Sequence, residues 1–335
     1  MKLLFSIFML MMFVTSYAQS GIENLLRSGI DDANKFANAY INPGSEAVIY
    51  SLANGWYNTA KVKSLGGFEI SVIGGISEIG DDKTSFALNE NDYSSLRFES
   101  GPGIQQVGTV LGQNSPDISM IITENDQNLG SITLPQGLAS ENVEYLPNLI
   151  LQGSVGLLFS TELKLRFLPE VETQDVTAQF YGVGLQHEFT DWIPGLKVLP
   201  IAISGFVGYN SFESEYRFSS QSTFISGSNQ SIVSDIESWH YALVASTKLP
   251  IINFYGSIGA VSGSADSALK GEYTISSGVS QIEGATIVDP LSTSSSVSGF
   301  RATVGTKLTL AFFRLNVDYS FQEFNSLNVG INFGI

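Results

Sequence analysis

The chain is 335 residues long and has no cysteine, so neither disulfides nor thiolate metal sites hold it together. Its 16 Lys and Arg stand against 32 Asp and Glu, a formal net charge of −16 that argues against nucleic acid as a partner. Only 14% of residues are charged, while Gly (33) and aromatics (11%) are plentiful; this suits Gly-kinked strands with an aromatic belt, and equally a large exported sandwich.

Met1-Lys2 is a short basic start, and the run from Leu3 to Val14 is apolar apart from Ser6. Ser16-Tyr17-Ala18 then gives a small-x-small site before Gln19. This pattern predicts a secretory signal peptide over 1–18, too short to remain as a spanning helix. No cysteine follows it, which closes the lipid-anchored route.

Residues 19–62 are the exception to a β pattern. Ile22, Leu25, Leu26, Ile30, Ala33, Phe36, Ala37 and Tyr40 recur at helical spacing, and Ser20 with Glu23 has the spacing of a capping box. Asn42-Pro43-Gly44 predicts the end of that helix. A second short helix, Glu46 to Ala53, is closed by Asn54-Gly55. An amphipathic helix needs an apolar surface to lie on, and no long partner helix is in view. Few basic residues lie on it, which disfavours a membrane surface. The expectation is a helical plug inside a barrel, with Ile22, Leu26, Ile30 and Phe36 as its inward contacts.

From 63 to 335 the chain reads as strands. Phe68, Ile70, Val72 and Gly74 alternate, Tyr93 to Phe98 is weaker, and 100–142 offers one strand at Ile118 to Thr123. Clearer strands follow at 145–157, 161–168, 174–190, 198–219, 232–248, 251–275, 295–310, 312–323 and 325–335. The last two show the code best: Phe313, Leu315, Val317, Tyr319 and Phe321 alternate with Arg314, Asn316, Asp318, Ser320 and Gln322. Period 2 means one apolar and one polar face, in a sandwich facing inward or in a membrane barrel facing outward.

Turn lengths favour the barrel. Connections at Phe159-Ser160, Thr190 to Gly195, Leu249-Pro250 and Ala311-Phe312 are short, and those near 169–173, 220–231 and 276–294 are longer and polar. Outer-membrane barrels alternate short periplasmic turns with long outer loops in this way. Twelve antiparallel strands fit the parity, and fourteen also fits. The final Ile335 departs from the aromatic ending usual in such barrels, although Phe333 sits two residues earlier on the same face.

The amphipathic N-terminal segment leading to INPGSEAV, followed by a Gly-rich barrel, resembles the bacterial long-chain fatty-acid outer-membrane transporter family, with Asn42, Pro43 and Ala47 matching its short motif loosely. That resemblance implies an N-terminal hatch inside the barrel beneath a hydrophobic ligand. GWYNTAK, TELKLRFLPE and YGVGLQHEFTDWIPG are similar to a family of uncharacterised exported barrels. Such motifs specify fold better than substrate.

In a barrel the polar faces line a lumen. Lys164 and Arg166, Arg301 and Lys307, and Arg314 face inward, and His240 falls on the face opposite Trp239 and Tyr241. A basic lumen holds a ligand carboxylate by charge-assisted bonds. The plainer alternative is that these cations pair with Asp318, Glu188 or Glu162 and fill the barrel. His187 lies on the apolar face near a strand end, with an interfacial role like that expected of Trp192 and Trp239. Trp56 reads as a belt or core residue. No nucleophile–base pair and no metal-ligand spacing can be named, so neither an enzyme nor a metal or cofactor site is expected.

The sequence therefore predicts an all-β transmembrane barrel in the outer membrane of a Gram-negative-type bacterium. It would meet membrane lipid and the outer-membrane assembly machinery, and bind or transport a hydrophobic or amphipathic molecule such as a fatty acid. The alternative is a structural or secretion-partner barrel that binds protein through loops 100–142 and 276–294.

Overall fold

The computed structural model describes residues 24–173, 175–195, 199–218 and 225–335. The signal peptide, Ile22 and the Ser20–Glu23 pair lie outside the described residues. Leu26–Ser28 forms a 3-10 turn, and Gly29 then redirects the chain at a φ of 101°, where glycine is favoured. Helix α1 follows over Ile30–Leu52.

It is one helix where two are expected, and Pro43 lies inside it. An internal proline removes one N–H and crowds the preceding turn, at a cost of about 3 kcal/mol. Tertiary contacts gather at that point. The Tyr40 carbonyl, three residues before the proline, accepts from Val110 N at 2.9 Å. Gly44 admits Val110 closely, since a Cβ there would stand 2.6 Å from its Cγ1. Packing overrides the local stop signal.

Strand β1 (Phe68–Glu78) leads into an excursion holding β2 (Ser85–Asn89), β3 (Leu96–Phe98), β4 (Ile104–Gly108), β5 (Ser119–Glu124) and β6 (Gln127–Thr133). The chain returns as β7 (Tyr145–Leu157), β8 (Thr161–Glu172), β9 (Val176–Glu188), β10 (Ile201–Arg217), β11 (Ile225–Thr247) and β12 (Ile252–Ile275). A short β13 (Thr286–Val288) precedes β14 (Leu291–Leu310), β15 (Phe313–Phe321) and β16 (Ser326–Gly334).

The large sheet closes on itself: β11 pairs with β12, and β1 pairs with β16. Apart from β13, which joins only the end of β12, the ring contains ten antiparallel strands, not twelve or fourteen. The two surplus strands exist as β3 and β5. They pair with each other in a separate sheet with β6, while β2 pairs with β4. Alternation marks a strand but does not say which sheet it joins.

The ring strands turn most of their apolar residues outward, while a few, such as Ile73, Ile150, Phe206 and Val261, are buried inside. Leu327, Val329, Ile331 and Phe333 of β16 are exposed, and Ser326, Asn328 and Asn332 are buried inside. Carried on to the exposed Ile335, the apolar face runs about 27 Å along the strand and about 20 Å in height after strand tilt, close to the span of a bilayer-facing band. Above it the exterior turns polar: Ser292, Ser294, Ser296 and Ser298 of β14 are exposed beyond Phe300, and Asp235 and Glu237 of β11 beyond Trp239. Below it the short turns are apolar, with Phe159, Phe312 and Trp192 exposed, the last at 73%. His187 joins this rim, with its ring 5.0 Å from that of Trp192.

Strands β11, β12 and β14 run 23, 24 and 20 residues, well past the roughly 9–11 that cross a bilayer. Their far ends and the 79–142 excursion form a cap at the long-loop end. Its core gathers Leu26, Phe36 and Tyr40 with Leu88, Leu96, Met120 and Ile122, and with Leu269, Tyr273 and Leu291 of the tall wall. Lys83 latches three parts together, meeting Glu46 of α1 at 2.9 Å and Glu323 of the last turn at 2.8 Å. Burial opposes its charge, but the bonds it donates to Glu323 and Glu46 outweigh that and raise it above the ordinary lysine value.

Candidate functional site

The N-terminal segment descends from the cap, through the barrel, to β1 at the short-turn end, so the lumen is lined by the wall and filled by residues 49–63. At its top, Ser238 donates to the Ile49 carbonyl at 2.8 Å, and Tyr50 packs on Phe324 with ring centroids 5.9 Å apart. The end of α1 leaves carbonyls without helical partners. Arg166 of β8 supplies the donors, reaching the Leu52 carbonyl at 2.9 Å and the Asn54 carbonyl at 2.7 Å. A guanidinium at a helix C-terminus also meets the negative end of the helix dipole. No basic residue in the last turn of α1 does this, so the barrel wall does it instead.

Arg166 is 1% exposed, donates to Gln152 at 3.0 Å, and lies 3.6 Å from the centroid of Trp56. Trp56 is seated on a floor without side chains. A Cβ on Gly184 would stand 2.9 Å from its Cζ3, and one on Gly208 would stand 2.9 Å from its Cε2. Phe206 lies beside it over the same glycines, with ring centroids 5.3 Å apart. Trp56 is therefore a core residue of the lumen and not of the belt.

Tyr57 and His240 follow. The Tyr57 hydroxyl is 3.0 Å from His240 Nε2 and 2.7 Å from Ser257 Oγ, and His240 Nδ1 lies 3.3 Å from the Ala260 carbonyl. Both ring nitrogens of His240 are occupied and the ring is 1% exposed, so its work is to fix Tyr57. Nearby, Arg301 donates to Ser320 at 2.8 Å while its Nη1 has no partner among the described residues. Asp318 accepts from Tyr255 at 2.8 Å and from Asn328 at 3.0 Å.

A lower tier lies toward the short-turn end. Lys164 meets Glu162 at 2.7 Å, Lys63 meets the same carboxylate at 2.9 Å, and Arg314 meets Glu69 at 2.6 Å. Lys307 donates to Asn58 Oδ1 at 3.2 Å.

All six lumen residues singled out from the sequence thus face inward and are buried or nearly so. Five of them, Lys164, Arg166, Lys307, Arg314 and His240, are engaged by protein groups, and Arg301 is partly so. Alternation showed where they point. Of their partners, Glu162 is one of the acids the sequence offered and it pairs with Lys164, whereas the Leu52 and Asn54 carbonyls, Tyr57, Asn58 and Glu69 come from far away in sequence and alternation carries no sign of them. The plug residues divide differently: Leu26 and Phe36 sit in the cap core, and Ile30 is half-buried at the start of α1. They do not meet the lumen cations, because a cleft between α1 and β14, lined by Ala37, Leu291 and Thr293, ends eight residues of β14 from Arg301, roughly 26 Å of strand. A carboxylate held by Arg301 therefore cannot place a fatty tail against Phe36.

Fold and site together define a class: a ten-stranded barrel, capped at one end and filled by its own N-terminal segment. The chain belongs to a family of unknown function, DUF6588, whose profile matches residues 1–335. No curated protein matches it. Among solved structures it is similar to Ail, the attachment invasion locus protein of Yersinia pestis, at 9% identity and a TM-score of 0.27, covering 81% of this chain and 99% of that one. The outer membrane protease OmpT of Escherichia coli is similar at 8% identity and a TM-score of 0.32, covering 84% and 100%. A Pseudomonas aeruginosa FadL homologue is similar at 8% identity and a TM-score of 0.21, covering 80% and 89%. Likenesses this distant carry no argument about activity.

Proposed function

We propose that the protein is an outer-membrane barrel, closed at rest by its own N-terminal segment, that admits a hydrophobic or amphipathic small molecule along the seam between α1 and the tall wall. The membrane reading rests on the exposed apolar band, which a closed sheet can present to hydrocarbon because its backbone groups are all paired. It places the short turns in the periplasm, follows export with removal of residues 1–18, and calls on the outer-membrane assembly machinery. No enzymatic step enters this reading.

The observation that carries the seam is an apolar cleft where helix and wall part, lined by Ala37, Ile41, Ile232, Leu269 and Leu291. Its volume of about 20 Å³ is no more than one water's worth, so passage requires α1 to move. A second reading has a specific support of its own. The lumen cations are mostly paired, as in a barrel that stays shut and uses its cap to bind protein.

The test exploits a chain without cysteine. Ala37→Cys with Thr293→Cys places thiols on two residues that line the cleft, to be joined by oxidation or by a short bifunctional thiol reagent. Entry of dodecanoate into proteoliposomes is expected from the reduced pair and not from the joined one. Equal entry in both states, or none in either, sinks the seam and leaves the protein-binding cap.

A further inference from the structure

The lower tier carries more positive charge than its carboxylates can match. Four cations, Lys63, Lys164, Lys307 and Arg314, surround Glu69 and Glu162, while the nearby Glu188 is taken by Lys248 at 3.3 Å. Glu162 already receives two lysines, and Glu69 receives Arg314 with Lys63 at 3.5 Å. Lys307 is left with a neutral amide. It is 8% exposed, and among the described residues its ammonium makes one hydrogen bond, to Asn58. An ammonium has three donors. A buried charge of this kind is expected to have an anionic partner, because desolvation without one is costly.

We infer that this tier seats a small oxyanion, a phosphate or a carboxylate, on Lys307 Nζ with Lys63 and Arg314 flanking it. Lys63 and Arg314 keep 15% and 18% of their side chains exposed, so the seat is reached from the short-turn end. The amides around Lys307 are already engaged, Asn316 donating to Tyr255 at 3.3 Å, so the anion's bonds come from the three cations. Asn58 donates to Glu69 at 3.3 Å, and Asn316 lies opposite Lys307 across the β14–β15 pair. Elsewhere the protein is acidic, with a net charge of −16 overall, so the tier is a local well for anions in a molecule that otherwise repels them. The seat is separate from the cleft beside α1 and does not require the seam to open.

Isothermal titration of the full-length protein in neutral detergent, with inorganic phosphate and with octanoate, tests it. Binding of either probe, weakened by added salt, is expected. Tighter octanoate marks the headgroup of an amphiphile as the occupant, and equal or tighter phosphate marks a free anion. Lys307→Met should weaken binding about tenfold, the loss of one charge-assisted bond, and Lys307→Arg should restore most of it. Heat-modifiable gel migration shows that each variant has folded. If Lys307→Met does not fold, Lys63→Met reads the same seat from its accessible side. Wild-type protein that binds neither probe, or a folded methionine variant that binds as tightly as wild type, overturns the inference. The joined Ala37–Thr293 pair should titrate unchanged, which separates failure of the seat from failure of the seam.

Discussion

The two halves of the N-terminal segment are held in opposite ways. Residues 25–50 lie in broad apolar clusters shared with the cap and the tall wall. Beyond Ala53, which still packs in the upper cluster, residues 54–63 rest on a small cluster around Trp56 and Phe206 and otherwise on carbonyl, amide and ion-pair contacts. Hydrophobic burial is insensitive to salt and non-directional, whereas the lower contacts are geometric and charge-dependent. One continuous segment thus has an anchored end and an adjustable end, and the adjustable end lies beside the basic tier.

The largest effect should come from breaking the anchored end. Phe36 stacks on Tyr40 and meets Phe86 edge-on, each with centroids 5.8 Å apart. Phe36→Ala is expected to cost about 3–5 kcal/mol and to expose the cap to limited proteolysis within 79–142 while the barrel stays heat-modifiable. Loss of the barrel together with the cap would show that the two halves are not separable.

A smaller effect is expected at the adjustable end. Arg166→Met leaves the Leu52 and Asn54 carbonyls buried without donors, a loss of about 1–3 kcal/mol. Hydrogen exchange should rise at 53–60 and stay low at 33–40. A uniform rise along the segment would erase the distinction.

The smallest effect is a matter of pH at the cap. The Tyr93 phenol is pushed up to about 12, first by burial and then by the carboxylates of Asp32 and Asp92. The folded cap therefore favours the neutral phenol. That contribution is complete below an unfolded value of about 10 and is lost as pH rises toward 12. Absorbance at 295 nm of the folded proteins should show one phenol fewer ionising near pH 12 in Tyr93→Phe than in the wild type, with the ionisation near pH 10 unchanged. If Tyr93→Phe leaves the folded titration near pH 12 unchanged, the assignment fails.

Much of this was legible in the residues. The faces of β15 and β16, the short turns at Phe159-Ser160 and Ala311-Phe312, and the inward aim of Lys164, Arg166 and Arg301 all follow from period 2. What the sequence could not show was long-range. The strands near 93–98 and 118–123 look like any others, and only their hydrogen bonds assign them to the cap. Pro43 signals a helix end, and the contact between Val110 and the Tyr40 carbonyl that overrules it comes from 70 residues onward. Lys164 has its partner two residues away in Glu162, but Arg166 declares a direction and not a partner, since it is answered by backbone carbonyls that any sequence would carry.

The seam between β1 and β16 joins the first ring strand to the last, with Ile335 N donating to the Phe68 carbonyl at 3.0 Å. The segment it encloses is covalently continuous with β1. A ring that shut early would leave a helix of 23 residues to be threaded past Arg166 and into a cap already folded over the opening. Pairing β16 with β1 only once the N-terminal segment is in place avoids that threading, so the last pairing in the ring is also the one that encloses the segment.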